Sequence, residues 1–162
     1  MIPETPTSYA WTPTGERTMT YDQRGSELLS EDECKRLLAS AGASGRTGRL
    51  AIAREGSPYL IPVNFSYYDD TILIRLGPGF AAHHLNGANV TFEIDDAEPY
   101  GRKGWSVLVE GHATLKTYDE IARLGRNIPH PIVMYPGVRV FSLRPETISG
   151  RSIGLDQESP PI

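Results

Sequence analysis

Between Tyr59 and Leu76 the chain carries two apolar runs with only Asp69-Asp70 between them. In the first run Tyr59, Ile61, Val63, Phe65 and Tyr67 fall on one side. Leu60, Pro62, Asn64 and Ser66 fall on the other, which is the period of two of a half-buried strand. The second run, Thr71 to Leu76, is rich in Ile and Leu. So short a link permits an antiparallel hairpin, whereas a parallel crossover needs about a dozen residues or more. Pro62 cannot donate to a ladder, so it is expected at an edge or a bulge, and bulges often border sites.

Past the hairpin come Gly77-Pro78-Gly79 and a short helical stretch from Phe80 to Asn86. A helix starting at Gly79 or Phe80 would turn its free N–H groups back toward the end of the second strand, where Arg75 stands. Helix N-termini attract anions, and a guanidinium adds a forked, charge-assisted donor. The local physics points to a phosphate site. The competing reading is a hairpin, a turn and a cap with Arg75 merely solvated. His83 and His84 either form a solvated helix face or contact the same anion, and Phe80 is expected to pack.

The remaining chain reads as strands with few helices. Residues 1–27 carry Pro3, Pro6 and Pro13 without periodicity and are expected to be an arm. Tyr9 and Trp11 within it would pack on the domain or on a second subunit. Ser30 with Glu33 three residues on is a capping box, and Gly42 ends that helix. Strands are expected over Arg49–Arg54, Asn89–Asp95, Trp105–Leu115 (with a bend at Gly111) and Val138–Leu143. A helix is expected over Tyr118–Arg126, then a Pro-broken connection from Asn127 to Gly137. With the hairpin this makes a mainly β domain over residues 28–150, a six-stranded antiparallel barrel with short peripheral helices. Residues 151–162 form a polar tail ending in Pro-Pro.

At 162 residues the chain is one domain by length, and a net charge of -4 without a basic cluster argues against nucleic acid. No apolar stretch approaches the roughly 20 residues of a membrane helix, and no secretory signal opens the chain. The single Cys34 fits a reducing compartment, so the expected location is the cytoplasm. Cys34 reads as a small apolar residue on its helix.

Three motif matches are set aside. Gly77 to Ala82 fits GxGxxA, but the helix is too short for a crossover and the flanking strands read as hairpin partners. Gly150-Arg151-Ser152-Ile153-Gly154 fits GxSxG, yet no His follows it. His83, His84, His112 and His130 show no metal-ligand spacing, so no metal is expected.

With these residues in view the chain resembles the pyridoxamine 5'-phosphate oxidase-like, FMN-binding split-barrel family from Ser30 to Arg151. The resemblance rests on Gly48-Arg49-Leu50-Ala51, Pro62-Val63-Asn64-Phe65, Ile74-Arg75 before Pro78-Gly79, and Gly104-Trp105-Ser106-Val107 with Glu110-Gly111. Arg144-Pro145 and Ser149-Gly150-Arg151 close it. It implies a homodimer with two FMN sites at the subunit interface. The flavin ring would lie along Pro62, Val63, Asn64 and Phe65, with its phosphate held by basic residues at and after the strand of Arg75, in the cofactor-binding stretch that includes Leu76, Gly79 and Phe80. Trp105 would approach from the other subunit.

Such proteins usually carry Thr or Ser two residues before the Pro-Gly and a Lys two residues past the Gly. Here those positions are Leu76 and Ala81, which leaves His83, His84 and Arg151 to make up the lost contacts. The implied activity is that of a flavin-dependent oxidoreductase of unknown small-molecule substrate, with no catalytic acid or base singled out. The alternative is a non-catalytic binding module for a deazaflavin, haem or another aromatic ligand.

Overall fold

The computed structural model describes residues 20–22, 26–98, 103–130 and 136–153. Tyr9, Trp11 and the end of the tail lie outside the described residues. Two short strands, β1 (Thr20–Tyr21) and β2 (Glu27–Leu29), precede α1 (Glu31–Ala43). Then follow β3 (Thr47–Arg54), β4 (Ser57–Tyr68), β5 (Thr71–Leu76), α2 (Phe80–His84), β6 (Asn89–Ala97), β7 (Gly104–Leu115) and α3 (Tyr118–Leu124). A turn of 3-10 helix (Gly125–Asn127) and β8 (Arg139–Ile153) complete the chain.

Six strands close into an antiparallel barrel in the order β8-β5-β4-β3-β6-β7, with β7 pairing back to β8. The two hairpins follow from their turns. Glu55-Gly56 and Asp69-Asp70 all have positive φ, the conformation a two-residue link needs to match the twist of its strands. The last strand is far longer than its apolar pattern foretells. It runs through Pro145 to Ile153, because β7 pairs along its whole length and β2 adds to its far end at Leu29↔Gly150. The residues expected to be arm thus include β1 and the first residue of β2, which is laid along β8.

The bend at Gly111 is present as a register shift between Glu110 and Gly111, opposite Thr147 and Pro145. Inside the barrel Val63, Phe65, Leu50, Phe92, Ile94, Val107, Val109 and Phe141 form one core, with Phe65 and Phe92 edge to face at 4.8 Å. Each such buried side chain stabilises the fold by about 1.5–3 kcal/mol before chain entropy is counted. Helix α1, opened by the Ser30–Glu33 capping box, inserts Cys34, Leu38 and Ala41 into the same core. Cys34 is wholly buried, and its burial, followed by the neighbouring Glu33 carboxylate, pushes the thiol above its ordinary range.

Candidate functional site

The barrel is not uniformly sealed. Strands β4 and β5 pair only from Phe65↔Ile74 to Tyr68↔Thr71. Beyond that point β4 continues against β3 alone, and Arg75 and Leu76 pair with Val140 and Arg139 of β8. The two strands part, and the edge of β4 from Pro62 to Asn64 faces the gap without a ladder partner among the described residues. Pro62 suits this edge, since a residue without an N–H loses nothing where no ladder forms. Its pairing with Arg49 on the other side runs without a register shift, so Pro62 marks an edge and not a bulge.

Arg75 stands on β5 one step beyond the parting point. It is half-buried and has no carboxylate partner among the described residues. The next stretch, Gly77 to Gly79, leads into α2. That helix is one turn of five residues with no side-chain cap at Gly79, shorter than the stretch to Asn86 that the sequence points to. A single turn aligns too few peptide dipoles to attract an anion strongly, so the charge at this corner comes from side chains.

Helix α2 crosses from the end of β5 to the β3–β4 hairpin. Phe80 meets Tyr59 edge to face at 5.1 Å and stacks on His84 at 4.2 Å. The Arg54 guanidinium lies 4.9 Å from the Phe80 ring centre and 5.5 Å from that of Tyr59. His84 Nδ1 donates to the Phe80 carbonyl oxygen at 2.9 Å. His83 is exposed. Arg54 escapes sequence reading because it ends a strand before a turn, the usual place for a solvated cation.

The remaining site residues read from sequence distribute differently. Val63, Phe65 and Leu76 point into the core and are buried, so only their backbone can reach a ligand. Asn64 uses its side chain within the chain: its Oδ1 accepts from the Thr47 hydroxyl at 3.3 Å, and its Nδ2 donates to the His130 carbonyl at 3.1 Å. The Ser66 hydroxyl likewise donates to the Asn127 carbonyl. These bonds strap the connection after α3 onto the outer face of β4. Ala81, like Leu76, is buried and offers no donor.

Trp105 and Arg151 stand elsewhere. They lie together on β7 and β8, in the neighbouring pairs Trp105↔Ser152 and Ser106↔Arg151. Arg75 pairs with Val140 on the same strand β8. Eleven steps along that strand, from 140 to 151, amount to roughly 35 Å. Arg151 Nε is also held by Asp22 Oδ2 at 2.9 Å, so within one chain it does not make up for a missing cation beside Arg75. Half-buried Trp105 packs on the core and lines a cleft of about 440 Å³ with Asp96, Glu98, Lys103 and Ser152.

A second cleft, about 530 Å³, lies on the outer face of β3, β6, β7 and β8, floored by Ala51, Ala53 and Thr91. At its rim His112 Nδ1 sits 2.5 Å from Glu146 Oε1, and the Thr147 hydroxyl donates to Glu110 at 2.9 Å. Neither cleft takes in Arg75 or α2. Among the described residues no group of three or more His, Cys, Asp or Glu is arranged to hold a metal ion, and no helix is long and apolar enough to cross a membrane.

The parted barrel is a class of fold, and comparison with known proteins names it. The family model described as pyridoxamine 5'-phosphate oxidase matches residues 30–152. The chain belongs to the pyridoxamine 5'-phosphate oxidase-like family. An uncharacterized protein of Mycobacterium tuberculosis is 32% identical over 139 residues, 82% of this chain and 88% of that one. The FAD binding protein of Mycobacterium smegmatis is similar in structure with a TM-score of 0.67 and 27% identity, over 80% of this chain and 99% of that one. A FAD-binding protein of Mesorhizobium loti is similar with a TM-score of 0.61 and 25% identity, over 78% and 96%.

Proposed function

We propose that the chain binds a flavin nucleotide at the parting of β4 and β5, as a homodimer, and acts as a flavin-dependent oxidoreductase on a small molecule. The observation that carries this reading is the β4 edge from Pro62 to Asn64, unpaired among the described residues, with half-buried Arg75 on the facing strand and no described carboxylate claiming it. A flat ring can lie along an open strand edge, and a guanidinium beside it supplies forked donors to a phosphate ester. The residues present fit such a group. Bound flavin would supply the electron transfer, while this chain's own residues bind and orient it.

The homodimer reading rests on the family resemblance, which brings Trp105 to the site from the other subunit, and the separation within one chain is compatible with it. Trp105 on β7 and Arg151 on β8 stand at the far end of β8 from Val140, the partner of Arg75, so a second copy would have to bring them to it. Outward-facing Leu60, 61% exposed, and Leu108, 40% exposed, are apolar surface suited to such a contact. FMN is the nucleotide the family resemblance implies. Two similar structures are FAD-binding proteins, which supports the shared flavin ring and makes FAD the companion ligand to test.

A second reading, a non-catalytic module for a deazaflavin, haem or other aromatic ligand, has one observation in its favour. Leu76 and Ala81 are buried and bring no donor to the phosphate end. Titration of Arg75→Ala decides between them. The flavin reading expects FMN affinity to fall about tenfold or more through loss of a charge-assisted contact. Unchanged FMN affinity would remove Arg75 from the phosphate. Tight binding of deazaflavin or haem with no uptake of FMN or FAD would favour the module.

A further inference from the structure

We propose that Arg54 recognises the phosphate ester of the bound flavin nucleotide, an assignment that rests on the flavin reading above and adds a residue outside the resembling motifs. Arg54 ends β3, paired with Ser57 across the Glu55-Gly56 turn. Its guanidinium lies against the Phe80 and Tyr59 rings, and Phe80 carries His84 stacked at 4.2 Å with 20° between the planes. Aromatic contact restrains a guanidinium without using its N–H groups, which lie in its plane and stay available to an acceptor.

Four arginines on or beside the barrel strands are already employed, whereas Arg75 and Arg144 are, like Arg54, without a carboxylate partner among the described residues. Arg49 meets Glu93 and Asp95 at 2.7 Å each, Arg46 meets Asp96 at 2.7 Å, and Arg151 meets Asp22 at 2.9 Å. Arg139 donates to the Ala82 carbonyl at 3.0 Å. Arg54 has no carboxylate partner among the described residues, although Glu55 is its neighbour in the chain. It is a cation held in place with its donors unspent.

The position matches the need. Helix α2 follows the strand that carries Arg75, and Arg54 lies against its first residue, Phe80, so the β3–β4 hairpin and the chain leaving β5 meet at α2. With Leu76 and Ala81 turned into the core, Arg54 supplies the charge that neither gives. With its Nδ1 hydrogen given to the Phe80 carbonyl, neutral His84 presents Nε2 as an acceptor, so the donor at this corner is Arg54.

Fluorescence titrations of wild type, Arg54→Ala and Arg54→Lys with FMN and with riboflavin test the assignment, since riboflavin has the ring and no phosphate. Wild type is expected to hold FMN more tightly than riboflavin. Arg54→Ala is expected to lose about tenfold or more in FMN affinity with riboflavin unchanged, and Arg54→Lys to recover part of it as a point charge without the fork. An unchanged ratio of FMN to riboflavin affinity in Arg54→Ala overturns the assignment and leaves the flavin reading standing. Equal loss for both ligands makes Arg54 a packing residue and overturns it too. A wild type that binds neither ligand overturns the flavin reading and the Arg54 assignment together.

Discussion

A methyl group on Gly111 would lie 2.1 Å from the carbonyl oxygen of Arg144, at the place where the β7–β8 ladder shifts register. Backbone cannot move aside as a side chain can, so Gly111→Ala is expected to destabilise the fold by about 1–3 kcal/mol. A urea melt would read this as a lowered midpoint at unchanged slope. A midpoint equal to wild type would contradict the close packing. This bend was readable because a glycine interrupts a long alternating run. The straps on Asn64 were not, since its partners Thr47 and His130 lie 17 and 66 residues away. Arg54 was hidden for the same reason: sequence shows a cation at a strand end, and only the fold lays Phe80 beside it.

At the scale of elements, local signals were the reliable ones. Both long helices begin with capping boxes, Ser30 with Glu33 and Thr117 with Glu120. The Glu120 carboxylate accepts from the Thr117 N–H at 2.8 Å, from Lys116 Nζ at 3.0 Å and from the Thr117 hydroxyl at 3.0 Å. These bonds, the backbone one first, hold its pKa down from 4.5 to about 2. A depressed carboxylate adds stability above its unfolded value, and that stability is lost as pH falls from about 4.5 through 2. An NMR titration of the Glu120 carboxyl carbon is expected to show a midpoint near 2. An ordinary carboxylate midpoint would mean that the cap is not formed in solution. What local signals missed was the length of β8: Pro145, Thr147 and Ser149 carry no apolar alternation, and their strand exists because β7 is there to pair with it. The short α2 was overestimated because Leu85 continues the apolar pattern of the helix beyond its last turn.

At the scale of the whole molecule, the alternating runs and two-residue turns specify a barrel, and the parting of β4 from β5 opens it where Pro62 breaks the donor row. The residue patterns name Arg75 and Trp105, the family resemblance brings Trp105 from the other subunit, and the fold sets the two far apart on one chain. That separation is a tertiary fact, and it makes a prediction of its own. Light scattering is expected to give twice the 17.8 kDa of the chain, and Leu60→Glu to shift the protein toward monomer. A wild type that is monomeric at the concentrations used for flavin binding would contradict a site shared between copies. The central claim is that the parted edge and its arginines hold flavin. The visible absorption spectrum of the purified protein, taken before and after incubation with FMN and removal of free ligand, tests it most directly. The expected result is a bound flavin spectrum, present at purification or acquired from FMN, with quenched flavin fluorescence. A protein that stays colourless and leaves flavin fluorescence unquenched, with FMN and FAD alike, would contradict it.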